Sequence, residues 1–247
     1  MLQISPEAND AIQRLRVLAV SGPIPSVGSG DRSVGMTLLH ALGIQQTSAH
    51  KSTLNGIVIT AQRTRKKGTK NRVNLFARVP NWRLSACKSS ADIAEKYGYA
   101  IGPNEIKLYC TVTTKQVNPQ GLMLYVNRAE GTLDEIASLN GVKLPVAKWS
   151  LSDLESQLIE KNPQSFWVNA MSHFVDGIEH FHYRTAIYTQ SPRPNTFADL
   201  LEIGAVTVDH LIIKKGSRAQ EKGPLFKIEP KNFELLFPSP VMIDLMR

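Results

Sequence analysis

The chain has 247 residues, enough to bury a sizeable core, and its 42% apolar and 20% charged content excludes a disordered polymer. A formal charge of +8 and an isoelectric point near 9.5 favour an anionic partner, nucleic acid above all. Two cysteines, Cys87 and Cys110, exclude a zinc ribbon or a disulfide scaffold. No apolar run reaches the ~18 residues of a membrane span, and no signal peptide opens the chain, so a cytoplasmic protein with no membrane partner is expected.

Ser5 caps a predicted helix over 5–18, with Pro6 in its first turn and Ala8, Ile12, Leu15 and Val17 on one face. The glycines and prolines of 22–35 forbid regular structure and lead into a short helix over 36–42, stopped by Gly43. Such a loop before a helix can hold phosphate, but no Gly-Lys-Ser/Thr follows, and a plain turn is the simpler reading. Strands are predicted over 57–59 and 73–77, joined by a basic hairpin loop from Arg63 to Arg72. Between Asp31 and Asp92 there is no acidic residue, so the cations of that loop either stay solvated or meet phosphates.

Ser89 or Ser90 caps a helix over 90–97. Residues 107–113 and 122–126 read as an antiparallel hairpin turning at Asn118-Pro119-Gln120-Gly121. A helix runs over 149–161, with Ser152 and Glu155 as its capping box, Leu151, Leu154, Leu158 and Ile159 as its apolar face, and Pro163 as its stop. Residues 180–188 alternate like a strand, 197–203 form a helix closed by Gly204, and 206–213 form a strand. A second basic loop spans 214–224, a strand returns over 225–228, and 230–236 form a last turn or helix. The whole reads as one α/β domain of mixed topology over 1–247, without internal repeats.

No conventional catalytic set emerges from the residue types alone. His180 and His182 share one face of a strand beside Glu179, but with no third ligand they read as a polar face rather than a metal site. Cys110, mid-strand among apolar residues, reads as a buried inert thiol. Trp82 fits a stacking residue or a loop anchor equally well.

The strings SGDRSVGMTLLHALGI, STLNGIVITAQR, NRVNLFARVPNW, FADLLEIGAVTVDHLI and EKGPLFKI, in that order, resemble the MvaI/BcnI family of restriction endonucleases. These are relatives of the nicking enzyme MutH in the PD-(D/E)XK nuclease superfamily. The resemblance implies an α/β (α+β) fold, a mixed β-sheet flanked by helices, working as a monomer that clamps duplex DNA between two lobes. It also implies an acidic residue on the first core helix and a strand reading P-D-x-x-G-I-E-I-K, whose carboxylates hold Mg²⁺ while the lysine orients the attacking water. Here Leu39 stands for the helix glutamate, Ser52-Thr53 for Pro-Asp, Val58 for the strand glutamate and Thr60 for the lysine. All four catalytic positions have lost their chemistry, so no metal and no cofactor is expected.

The resemblance places Asp31 and Arg32 in a loop that approaches DNA. It puts Arg63, Arg65, Lys66, Lys67, Lys70 and Arg72 along the backbone near the former scissile phosphate. Lys214, Lys215, Arg218, Glu221, Lys222 and Lys227 fall on the loop that reads bases in the major groove. There Lys222 can donate to guanine and Glu221 can accept from cytosine. The expectation is a sequence- or modification-specific double-stranded DNA binder without Mg²⁺-dependent cleavage, working beside a catalytically complete nuclease subunit or a methyltransferase. The alternative is an active endonuclease or nicking enzyme with Mg²⁺ on displaced ligands such as Asp31 or Glu105, or with a partner's cutting centre.

Overall fold

The computed structural model describes residues 4–44, 53–64, 72–139, 141–216 and 218–247, and at 222 the backbone alone. In chain order the elements are α1 (Pro6–Val20), β1 (Ile24–Pro25), α2 (Ser33–Ala41), β2 (Thr53–Leu54), β3 (Ile57–Arg63), β4 (Val73–Ala77) and α3 (Ser90–Tyr97). Then come β5 (Tyr99–Gly102), β6 (Glu105–Val112), β7 (Leu122–Asn127), β8 (Thr132–Leu139), β9 (Val142–Ser150), α4 (Leu151–Lys161), β10 (Ser165–Val175) and β11 (Ile178–Thr189). The chain closes with α5 (Phe197–Glu202), β12 (Val206–Lys215), β13 (Arg218–Ile228), a 3-10 turn (Pro230–Asn232), α6 (Phe233–Leu236) and β14 (Val241–Asp244). Among the described residues, no helix is long and apolar enough to cross a membrane.

The chain divides into two compact units. The first takes Met1–Asn71, Asn162–Pro192 and Phe237–Arg247, and the second Arg72–Lys161 and Arg193–Leu236.

The first unit is a mixed sheet ordered β1-β11-β10-β3-β2, with β14 also on β11. β3 runs parallel to β10, and the other pairs are antiparallel. α1 turns Ala8, Ala11, Ile12, Leu15 and Ala19 inward at helical spacing. Val17, predicted on that face, is 72% exposed because its position falls on the opposite side of the stripe. The Ser5 cap stands as predicted, its hydroxyl accepting from the Ala8 amide at 3.2 Å. With Leu38, Ile57, Ile59, Phe166 and Tyr188, these residues make one buried apolar cluster. α2 begins three residues earlier than predicted, at Ser33, and Gly43 leaves it at φ +70°.

The second unit holds two antiparallel sheets, β4-β13-β12-β6-β5 and β7-β8-β9. Its core is aromatic: Phe226 stacks on Phe76 at 4.8 Å and meets Trp149 edge-on at 6.0 Å. Trp149 Nε1 donates to the Arg78 carbonyl at 2.9 Å, which satisfies its buried donor.

Both predicted hairpins are corrected. β3 pairs with β2 and β10, whereas β4 pairs with β13 in the other unit, so 57–63 and 73–77 are not hairpin partners. Likewise β6 pairs with β5 and β12, while β7 pairs with β8. The turn at Asn118 does form, its Oδ1 accepting from the Gln120 and Leu122 amides, but it carries the chain from one sheet to another. The second basic loop is mostly strand: β12 continues to Lys215, Gly216 turns at φ +56°, and β13 has begun by Arg218. The capping residue of α4 is Ser150, whose hydroxyl accepts from the Asp153 amide.

Candidate nucleic-acid interface

β3 alternates. Ile57 and Ile59 are 2% and 4% exposed in the apolar cluster, so Val58, Thr60 and Gln62 take the other face. The turn at Asn55-Gly56, with φ of 53° and 81°, folds β2 back so that Thr53 pairs with Val58. Parallel pairing sets Ser165, Trp167 and Asn169 of β10 level with Val58, Thr60 and Gln62. Thr53, Val58 and Thr60 therefore come together on one face. Leu39 does not join them: it is 3% exposed inside the apolar cluster with Ile57 and Ile59. Ser52 lies outside the described residues.

None of these four side chains offers a metal a carboxylate, and the strand lysine is a threonine. Among the described residues there is no group of three or more His, Cys, Asp or Glu that could hold an ion. The donor set does not fit the Mg²⁺ that the family resemblance implies.

Arg63 ends β3 in a closed environment. Its Nε and Nη2 each donate to a different oxygen of Glu179 at 2.7 Å. Nη2 also reaches Ser33 Oγ at 2.7 Å and the Gly30 carbonyl at 3.0 Å, and Nη1 reaches the Asp31 carbonyl at 3.3 Å. The guanidinium lies 5.0 Å over the Phe181 ring. The hydrogen bond from Arg63, helped by one from Ser172, holds the Glu179 carboxyl down at about 2. Arg63, expected on DNA, thus ties the glycine-rich loop and the start of α2 to β11. Arg32 is exposed at the N-cap position of α2, and Asp31 sits in the loop near the Arg63 charge. Arg65, Lys66, Lys67 and Lys70 lie outside the described residues.

In the second unit, Arg72 grips Asp209 with two bonds, at 2.6 and 3.1 Å, and also donates to Thr207 and Thr111. Lys227 Nζ reaches the same carboxylate at 2.8 Å. Burial pushes the Asp209 carboxyl up, but the two cations outweigh it and the net direction is down. Two cations on one carboxylate leave this cluster net positive. Lys214 pairs with Glu95 and Lys215 with Glu105, each at 2.7 Å, so the displaced ligand considered at Glu105 is held by a lysine of its own unit. Arg218 is exposed at the start of β13. Glu221, expected on a cytosine edge, accepts from the Ser90 hydroxyl through one oxygen; the other is buried with no hydrogen-bond partner among the described residues, and burial raises its carboxyl. The Lys222 side chain lies outside the described residues.

His180 Nδ1 meets the Ile178 carbonyl and His182 Nε2 the Ala19 carbonyl, each at 3.0 Å, a structural use for both rings. Burial pushes the Cys110 thiol up to about 12, which suits an inert cysteine. One cluster escaped the sequence reading. His210 Nε2 bonds both oxygens of Glu135 at 2.9 and 3.1 Å, with both side chains fully buried. Glu135 is on β8, a strand no periodicity flagged, so only its Asn140-Gly141 turn signal could have suggested the region.

The mixed sheet with its flanking helices is the fold of a restriction endonuclease. The MvaI/BcnI restriction endonuclease family model matches residues 12–237, and the chain belongs to that family. Among solved structures it is similar to one described as a restriction endonuclease MvaI–cognate DNA substrate complex, with a TM-score of 0.82 at 15% identity over 98% of this chain and 100% of that one. It is also similar to restriction endonuclease MvaI in the absence of DNA, with a TM-score of 0.57 at 16% identity and the same coverage. A search of characterised protein sequences finds no match.

Proposed function

We propose that this protein binds double-stranded DNA at a specific sequence or modification state and does not cut it. The observation that carries this reading is the β3 face. Thr53, Val58 and Thr60 stand together where the family resemblance puts two carboxylates and a lysine, and no acid stands among them. Carboxylates without metal repel a phosphate, whereas neutral side chains do not. The same replacements that remove a metal site therefore ease the approach of the DNA backbone. The net positive Arg72–Asp209–Lys227 cluster and the exposed Arg32 and Arg218 support phosphate contact. Lys214, Lys215 and Lys222 remain the proposed base and phosphate contacts of the β12–β13 arm. Such a protein serves as a specificity subunit, a competitor or a sensor beside a complete nuclease or a methyltransferase.

The test is a fluorescence-anisotropy titration of labelled duplex, run in Mg²⁺ and again in EDTA at matched ionic strength. Equal affinities are expected. Binding that appears only with Mg²⁺ would contradict the neutral-face account.

A further inference from the structure

On the same sheet face, one step beyond Thr60, three neutral side chains line up across three strands. Gln62 of β3 is level with Asn169 of β10, which is level with Thr185 of β11. Gln62 Nε2 donates to Asn169 Oδ1 at 2.9 Å, and Asn169 Nδ2 donates to Thr185 Oγ1 at 3.3 Å. Each amide NH₂ has a second hydrogen, and the threonine keeps its hydroxyl hydrogen, so the ladder retains donors after its internal bonds are made. All three residues are half-buried, and none can carry charge.

The ladder ends at a β-bulge. Asn169 pairs with Thr185 and Ala170 with Tyr183, which leaves Arg184 as the inserted residue. The backbone there is held in place. The Leu245 amide donates to the Arg184 carbonyl at 3.0 Å, and the Tyr183 hydroxyl donates to the Val34 carbonyl at 2.7 Å. Met171 shares the Asn169 face of β10, and Arg184 Nη1 reaches its Sδ at 3.6 Å, so the guanidinium lies over that face. A thioether is a weak acceptor. Among the described residues no carboxylate comes within 4.0 Å of Arg184, in contrast to Arg63 and Arg72. The acid nearest along the sheet is Asp244, level with Thr185. Its Oδ1 accepts from the Met246 amide at 2.9 Å, and its Oδ2 faces Arg247 at 3.4 Å.

We propose that Gln62, Asn169, Thr185 and Arg184 form a metal-free seat for a phosphodiester of duplex DNA. The ladder supplies neutral donors and Arg184 supplies the charge. The proposal rests on the DNA-binding reading and adds to it where the anion is held. Such a seat has a signature that an ordinary cationic patch lacks. Losing the arginine changes how binding depends on salt, because fewer counterions are released. Losing a neutral donor weakens binding at every salt concentration by the same factor.

The experiment titrates one labelled duplex with wild-type protein, Arg184→Gln, Asn169→Leu and Thr185→Val across a salt series in EDTA. Circular dichroism and melting temperature check the fold of each. Arg184→Gln is expected to flatten the slope of log affinity against log salt by about 0.9. Asn169→Leu and Thr185→Val are expected to weaken binding about tenfold with the slope unchanged. Arg14→Gln, an exposed change on α1, is expected to alter neither. Wild-type slope and affinity for Arg184→Gln would overturn the seat while leaving DNA binding in place, as would unchanged affinity in both neutral variants. No binding by the wild-type protein would overturn the DNA reading and the seat together.

Discussion

Replacing Arg63 by alanine separates a structural arginine from a DNA contact. In the folded chain its guanidinium bonds both oxygens of Glu179, Ser33 Oγ and two loop carbonyls. Removing one partner of a fully buried ion pair costs about 3–5 kcal/mol, because the other is left desolvated and unpaired. Here the side chains keep 27% and 17% of their exposure, so water recovers part of that loss and the expected cost is about 2–3 kcal/mol. At roughly 2–4 °C per kcal/mol, the melting temperature at pH 7 should fall by roughly 4–12 °C. The pair also has a pH signature. Glu179 titrates at about 2 when folded, against an ordinary value of 4.5. Its stabilisation is therefore complete above the ordinary value and is lost as pH falls from there towards 2. Differential scanning calorimetry of wild type and Arg63→Ala at pH 7 and pH 3 should show the gap between them shrinking in acid. A wild-type melting temperature for Arg63→Ala at pH 7, together with a DNA salt slope reduced by about one, would refute this reasoning and return Arg63 to the phosphate backbone.

His210→Ala leaves Glu135 buried without its partner and should cost about 3–5 kcal/mol, read as a lower urea midpoint. Burial disfavours the His210 charge, but Glu135, together with Glu221 and Asp209, outweighs it and the imidazolium is favoured beyond the ordinary 6.5. That stabilisation is full below 6.5 and fades as pH rises through the raised value, so melting should weaken on the alkaline side in wild type and not in His210→Ala. Leu39→Glu puts a carboxylate into the apolar cluster and should cost about 3–5 kcal/mol, whereas Val58→Glu, on the half-exposed face, should cost less than about 1 kcal/mol. Equal melting temperatures for those two variants would mean that Leu39 is not the core residue it is here.

The local signals were legible where one element decides its own structure. Ser5 and Pro6 mark the start of α1, Ser89 caps α3 through the Asp92 amide, and the apolar run Ile57-Val58-Ile59 marks β3 without showing which face turns inward. What failed was pairing. Proximity in sequence suggested hairpins at 57–77 and 107–126, but β3 and β6 find their partners about a hundred residues away, at Phe166 and Val208. The strands of 132–150 and 165–175 were not read, and with them went Glu135 and Asn169. Leu39, Thr53, Val58 and Thr60 stand out only through the family strings, not through their residue types. That Leu39 lies in the core, apart from Thr53, Val58 and Thr60, required the packing of α2 on β3. Charge counting marks Arg63 and Arg72 for the DNA backbone, and the family strings put Lys227 on the base-reading loop, but a sequence does not show that Glu179 and Asp209 face these three cations.

If the β3 face supports no metal-dependent cleavage while the protein still holds DNA, binding and cutting separate in a single assay. The most direct measurement incubates supercoiled plasmid with the purified protein in Mg²⁺ and in Mn²⁺, at concentrations where a mobility shift shows the plasmid fragments bound. Shifted DNA that stays supercoiled after the protein is removed is the expected result. Nicked or linear plasmid that depends on the metal would contradict it, and loss of that cutting in Asp31→Ala would locate a displaced metal site at Asp31.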